Sequence, residues 1–259
     1  LAIHVTMSLY EAHLLRKNPQ WWEDPGSCFA ICPNPADPEN KDPAAHTAEM
    51  RLFYLLQLAI WMWTGLSCKW LEERRKDYLE MMTHHVLTVA LILSSFLHHQ
   101  LAIGMVVLAV HDMSDVVLDV MKMMNYLKVE DAHGWFVTEF FFVANTYVSW
   151  PYLRLYVFPK YVIWHGSFAG YHAHCTADGH AGRPFANMSP HMADGSPVPN
   201  WLASSAMLFA LFLLHVFWFL LLNRIGMRIL MGGQKPNRAG DAEYEITMKD
   251  RKQKDKKGE

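Results

Sequence analysis

Residues 86–110, VLTVALILSSFLHHQLAIGMVVLAV, decide the fold class. These 25 residues contain no Asp, Glu, Lys or Arg. A helix needs about 20 mostly apolar residues to cross a bilayer. One straight crossing would carry His98, His99 and Gln100 into hydrocarbon, where polar groups are costly. Leu97-His98-His99-Gln100, followed by Gly104, therefore reads as a turn between two helices. The first helix is expected over about residues 77–97, and the second over about 102–124.

The same reading extends outward. Residues 52–68 carry no charge, and residues 201–223 carry none apart from the titratable His215. Residues 136–158 form another apolar stretch, rich in Phe and expected to end before Pro159. Residues 1–15 read as the tail of a further span, so the chain reads as a fragment lacking its natural N-terminus. The 259-residue chain is 52% hydrophobic, a total that a soluble domain can reach. The grouping of the apolar residues, rather than their number, points to an all-α integral membrane protein. A formal net charge of -2 offers no basic field and excludes nucleic acid as a partner.

Basic residues orient the spans. Lys69, Arg74, Arg75 and Lys76 share one short connection, and Lys122 and Lys128 flank the next connection on that side. Arg224, Arg228 and the tail from Lys249 to Lys257 fall on the same side, which is taken as cytosolic. The connections 18–49 and 160–200 then face the lumen and read as mostly irregular. Arg16, Lys17 and Lys160 run against this bias.

Ionisable residues inside a membrane helix face a cavity or one another. His111, Asp112, Asp115 and Asp119 lie on the second helix of the hairpin. At 100° per residue, His111, Asp115, Asp119 and Lys122 share a sector of about 80°, with Asp112 at its edge. If the hairpin turns near residue 100, His84 and His85 lie level with Asp115, roughly 20 Å from the turn. Imidazoles and carboxylates then converge in a low-dielectric interior. An imidazole oriented by a carboxylate is a general base, and imidazole can also accept and pass on an acyl group.

These residues carry a resemblance. His84-His85-Val-Leu-Thr88, followed, with 25 residues between His85 and His111, by His111-Asp112-Met-Ser114-Asp115-Val-Val-Leu118-Asp119-Val-Met-Lys122-Met-Met-Asn125-Tyr126, resembles the longevity-assurance motif of ceramide synthases. Further similarity lies in Arg154 with Pro159, in Leu214-His215 with Trp218, and in Trp21-Trp22-Glu23-Asp24. The resemblance implies a TLC-type bundle or barrel of about six transmembrane helices around a central polar cavity. It would occupy residues 1–231, with a charged cytosolic tail over 232–259. It also implies transfer of a fatty acyl group from acyl-CoA to the amine of a sphingoid base such as sphinganine, within the endoplasmic reticulum membrane. His84, His85, His111, Asp112 and Asp115 are the implied catalytic residues, with His84 ahead of His85 as acyl carrier. Asp119, Lys122, Tyr126, Arg154, His215 and Trp218 are implied to touch substrate. No cofactor or metal is implied, acyl-CoA being a substrate, and a homo- or heterodimer is allowed.

This chain departs from the family pattern in three places. Asp119 stands where the family has Glu, His99 and Ala102 stand where Asn and Arg are frequent, and the Tyr161–Asn200 region is longer. These changes bear on acyl and base preference and leave the reaction class alone.

Lys256-Lys257-Gly258-Glu259 resembles a dilysine retrieval signal. Four cysteines, Cys28, Cys32, Cys68 and Cys175, are too few for a disulfide framework. His172, His174, Cys175, His180 and His191 have no standard metal-ligand spacing.

A di-iron desaturase needs repeated HxxHH or HxxxH boxes, but Met81 and Ser95 stand where the extra histidines would be. A transporter predicts inverted repeats, and the sequence shows no internal repeat. A non-enzymatic TLC-type protein has no need of the His84-His85, His111-Asp112 and Asp115 set.

Asn187-Met188-Ser189 is a glycosylation sequon in a connection assigned to the lumen, although Pro190 follows it. Expression in microsomes is expected to yield a glycosidase-sensitive mass shift that Asn187→Gln abolishes.

Overall fold

The computed structural model describes residues 1–23, 48–71, 77–97, 100–127, 136–170 and 201–230. Every element among them is a helix. In chain order these are α1 (Ala2–Lys17), α2 (Gln20–Glu23), α3 (Ala48–Trp70), α4 (Tyr78–Leu97), α5 (Leu101–Tyr126), α6 (Val137–Val143), α7 (Ala144–Gly170) and α8 (Trp201–Leu230). Asp24, Cys28, Cys32, Arg74, Arg75, Lys76, His98, His99, Lys128, Cys175, Asn187, the histidines between 172 and 191, and the tail beyond 230 lie outside the described residues.

The expected hairpin is present. α4 ends at Leu97, α5 begins at Leu101, and Gln100 N–H donates to the Ser95 carbonyl at 2.8 Å. Three helical segments, 78–97, 101–124 and 202–227, are long and apolar enough to cross a membrane. The expected spans at 52–68 and 136–158 are helical but are not among these three. Gln57 and the several Trp and Tyr side chains lower the hydropathy of α3. Many large apolar side chains point outward, among them Leu55, Trp63, Leu79, Val86, Val148, Leu202 and Leu220, as a lipid solvent permits.

α5 is the hub. Its membrane-length window is 67% buried, against 28% for those of α4 and α8. It packs most extensively on α7 and α1, while α4 leans on α3 and α8. Small hydroxyls tie α8 in place: Ser94 and Ser204 lie 3.2 Å apart, and Ser167 and Ser205 lie 2.6 Å apart. Such interhelical bonds hold helices where no hydrophobic drive separates protein from lipid. α1 stops at Asn18, whose side-chain amide caps the Leu14 carbonyl at 3.0 Å, and Pro19 follows.

Two expectations change. The helix expected to end before Pro159 instead runs through Pro151 and Pro159 to Gly170, with π-type turns. A wider turn eases the clash between a proline ring and the turn before it. The buried Val157, Phe158 and Val162 keep the segment packed. The connection after Asn18 also opens with order. Within α2, Trp21 is buried and Trp22 stacks on Tyr161 at 5.4 Å.

Below the α4–α5 turn, the Tyr54 hydroxyl lies 2.8 Å from both Ser95 Oγ and the Leu101 carbonyl. Ser95 Oγ lies 2.6 Å from the Gln100 carbonyl. Gly104 leaves room for this cluster, since a Cβ there would fall 2.0 Å from Tyr54 Oη and 2.5 Å from Ser95 Oγ. Gly104→Ala is expected to lower stability by about 1–3 kcal/mol through overpacking. Unfolding in detergent should show Tyr54→Phe combined with Gly104→Ala costing less than the sum of the single changes.

Candidate active site

The polar side chains of α5 do not share one cavity wall. Each takes a partner from a different helix. His111 Nε2 lies 3.0 Å from His215 Nε2 of α8, and its Nδ1 lies 2.6 Å from the Val107 carbonyl. A carbonyl only accepts, so Nδ1 carries the hydrogen and the neutral ring turns its Nε2 lone pair toward His215. Asp112 accepts from Gln57 Nε2 of α3 at 2.7 Å, and the same nitrogen donates to Glu11 of α1 at 3.1 Å. Asp115 pairs with the Arg154 guanidinium of α7 at 2.5 Å. Asp119 meets His4 Nδ1 of α1 at 2.7 Å.

Arg154 is the most heavily committed cation. It is 3% exposed, its Nε donates to Ser114 Oγ at 2.6 Å, and its guanidinium lies 4.3 Å above the Trp150 ring. A buried charge requires this density of partners. The sequence pattern identified Arg154 and Asp115 separately, and the fold makes them a pair.

α4 supplies the second half. His84 is buried edge-on against Trp61 at 5.4 Å and Trp218 at 5.3 Å. Its Nδ1 is buried with no hydrogen-bond partner among the described residues. His85 lies 5.8 Å from both His84 and Trp61. Trp218 touches Trp150 at 6.5 Å, and Trp150 carries Arg154. An unbroken wall therefore runs from His84 through Trp218, Trp150 and Arg154 to Asp115.

A cavity of about 610 Å³ adjoins this wall. His111 and Trp61 line one part, Tyr54, Ser95, Gln100 and Gly104 another, and Leu91, Ile103 and Leu208 belong to its apolar sides. The resemblance implied a central polar cavity. The void here is walled almost wholly by carbon, because the polar side chains of α5 point into interhelical contacts. His111 therefore presents a ring nitrogen network at the edge of a hydrocarbon-lined space.

The structure brings together His84, His85, His111, His215, Trp218, Arg154 and Asp115 along this wall, with Asp112 and Asp119 on the α1 side of α5. Lys122 is exposed and outside the cluster. Tyr126 closes α5, and its side chain lies outside the described residues. The carboxylate-oriented imidazole expected for His111 is replaced by a histidine-to-histidine contact and a carbonyl. Sequence reading missed Glu11, Gln57, His4, Trp61 and Trp150. Gln57 was legible as a lone amide in the uncharged stretch 52–68, and Glu11 as a lone acid in the apolar tail 1–15. His4, Asp112 and Asp115 each bring one polar atom within 4.8 Å of the others.

The TLC domain (TRAM, LAG1 and CLN8) matches residues 1–224. The chain belongs to the TLC-domain family. It is 32% identical over 180 residues to ASC1-like protein 1 of rice (Oryza sativa subsp. japonica), covering 70% of this chain and 52% of that protein. It is 29% identical over 209 residues to sphingosine N-acyltransferase lag1 of Schizosaccharomyces pombe, covering 75% and 46%. Human ceramide synthase 5 shares 25% identity over 182 residues, covering 70% and 39%. The chain thus spans about half the length of the curated relatives it matches. The helices long enough to span and the TLC match together make this a membrane protein.

Removing one partner of a buried ion pair strands the other charge, at about 3–5 kcal/mol. Arg154→Ala is expected to cost that much in detergent unfolding. Adding Asp115→Asn should recover part of the loss, because it removes the stranded carboxylate.

Proposed function

We propose that this TLC-domain protein is a ceramide synthase, transferring a fatty acyl group from acyl-CoA to the amine of a sphingoid base. The observation that carries this reading is the buried His84 and His111 centre beside an apolar cavity of about 610 Å³. The hydrocarbon lining of the cavity suits an acyl chain. Similarity to the sphingosine N-acyltransferase of S. pombe and to human ceramide synthase 5 supports the same activity.

In the proposed sequence, a neutral imidazole nitrogen of His84 attacks the thioester carbonyl. The C–S bond breaks, and the departing thiolate takes the proton that the acylated imidazolium sheds, leaving as the free thiol of CoA. The amine then attacks the acyl-imidazole carbonyl. A C–N bond to the amine forms, the acyl–imidazole C–N bond breaks, and the amine proton passes to the departing imidazole nitrogen, which restores the neutral ring. Trp61 and Trp218 hold the His84 ring edge-on from two sides, which restricts its rotation. Arg154 positions the Asp115 carboxylate beside the reaction centre. Lys69 and Arg224 belong to the side that the charge pattern assigns to the cytosol, where the phosphates of CoA would be met. The endoplasmic reticulum membrane, with a cytosolic C-terminus, is the proposed location.

The test is acyl transfer in microsomes of cells lacking their own ceramide synthases, with sphinganine and a panel of acyl-CoAs. The full-length protein is expected to form ceramide. His84→Ala and His111→Ala at matched expression should lose about 10²-fold or more of the rate. A well-expressed full-length protein with no activity toward any acyl-CoA would favour a non-enzymatic TLC protein, with the histidines as interhelical glue.

A further inference from the structure

The cavity beside His111 has a definite depth, set by helix register. Thr88 stands one turn beyond His84 on α4, is buried and lines the cavity, so a chain attached at His84 enters there. Trp61 and Tyr54 on α3, Thr88 and Ser95 on α4, and His111 and Gly104 on α5 mark its two ends, and each pair is seven residues apart. At 1.5 Å per residue, these helices frame a slot about 10 Å deep beyond the histidines. Ser95 lies eleven residues from His84 itself, a rise of about 16 Å.

Hydrogen-bonded polar atoms close the far end. Tyr54 is 1% exposed, and its hydroxyl lies 2.8 Å from both Ser95 Oγ and the Leu101 carbonyl. Ser95 Oγ lies 2.6 Å from the Gln100 carbonyl. Phe53 and Phe96 flank the Tyr54 ring, with centroids at 6.1 Å and 6.3 Å. Gly104 is what lets the hydroxyl reach across, since a Cβ there would fall 2.0 Å from Tyr54 Oη. Gln100 and Leu101 are buried in turn, so the end is covered and is not a mouth. On α8, Ser204 meets Ser94 at 3.2 Å and also lines the cavity. A hydrocarbon chain pushed past this level would strip hydroxyls and carbonyls of their partners and offer none in return. That loss outweighs the gain from burying one more methylene.

We infer that Tyr54, Ser95 and Gly104 form the stop that sets the longest acyl chain this protein transfers. The inference rests on the acyl-transfer reading above. Carbon–carbon bonds near 1.5 Å carry an extended chain forward by about 1.25 Å per carbon, so a rise of about 16 Å holds about 13 carbons beyond the carbonyl. A bend or two in the chain takes up one or two more. The acyl groups that fit are those of about 14–16 carbons. Between entry and stop the walls are carbon, with Leu91, Ile103 and Leu208 among them. Such walls accept every methylene alike, so discrimination by length falls to the closed end.

The experiment uses the full-length protein in microsomes of cells lacking their own ceramide synthases, with sphinganine and a series of saturated acyl-CoAs. Transfer by the wild type should peak at about 14–16 carbons and fall at least about tenfold by about 22 carbons. Tyr54→Ala removes the ring and hydroxyl and should move the upper limit outward by about four carbons. Leu208→Trp fills the slot midway and should move the limit inward by about as much. Tyr54→Leu, with a smaller outward shift, is the second variant, should Tyr54→Ala fail to fold. Opposite shifts separate a length stop from a damaged fold, which lowers transfer of every chain alike. Thermal-shift titration of the purified full-length protein with free saturated fatty acids of the same lengths reads the slot without turnover. Ceramide formation with a length profile that neither variant moves would overturn the stop and leave the acyl-transfer reading standing. A wild-type optimum at about 22 carbons or longer would overturn it as well. Fatty-acid binding whose length limit shifts in both variants, in a protein that forms no ceramide, would sink the acyl-transfer reading and keep the stop.

Discussion

Everything in this molecule follows from one constraint: α5 carries His111, Asp112, Asp115 and Asp119 through a medium that cannot solvate them. Each must find its partner inside the protein. The partners come from four helices, with His215 from α8, Gln57 from α3, Arg154 from α7 and His4 from α1. The polar bonds therefore act as an assembly code. Lipid offers no hydrophobic reward for bringing helices together, so the directional contacts of α5 decide which helix stands on which side of it.

The same contacts divide the site chemically. On one side of α5, imidazoles and indoles surround a carbon-walled void: His84 lies against Trp61 and Trp218, and His111 lies against His215. On the other side, carboxylates gather around Gln57 and His4. α5 stands between the two environments. Arg154 joins them, since it stacks on Trp150 of the aromatic wall while it neutralises Asp115 of the acidic side. This makes Arg154 a structural and an electrostatic element together, which is why a lysine, with no planar fork, is a poor substitute there.

Proline and glycine show how far local rules reach. Gly104 obeys them, because its missing Cβ makes room for the Tyr54 hydroxyl. Pro151 and Pro159 override them, because the helix widens its turn and continues. The difference is tertiary. α7 has a buried face to keep, through Val157, Phe158 and Val162, and packing outweighs the local cost of an interrupted ladder.

The sequence alone determined the all-helical membrane class and the α4–α5 hairpin, and it set His84 and His85 level with the polar stripe of His111, Asp112 and Asp115, while Arg154 and His215 entered only through the family resemblance. These were legible because charge in an apolar run is rare, and a 3.6-residue period places it on a face. What the tertiary structure decided is who bonds to whom. Periodicity puts His111, Asp115 and Asp119 on one stripe but cannot say that His215, Arg154 and His4 approach that stripe from three different helices. It also cannot show that Glu11 and Gln57 belong with Asp112, since those residues are isolated polar positions in separate spans and are joined only when α1 and α3 pack beside α5. Helix phase is a property of a few turns of chain, whereas pairing in a membrane interior is a property of the whole bundle.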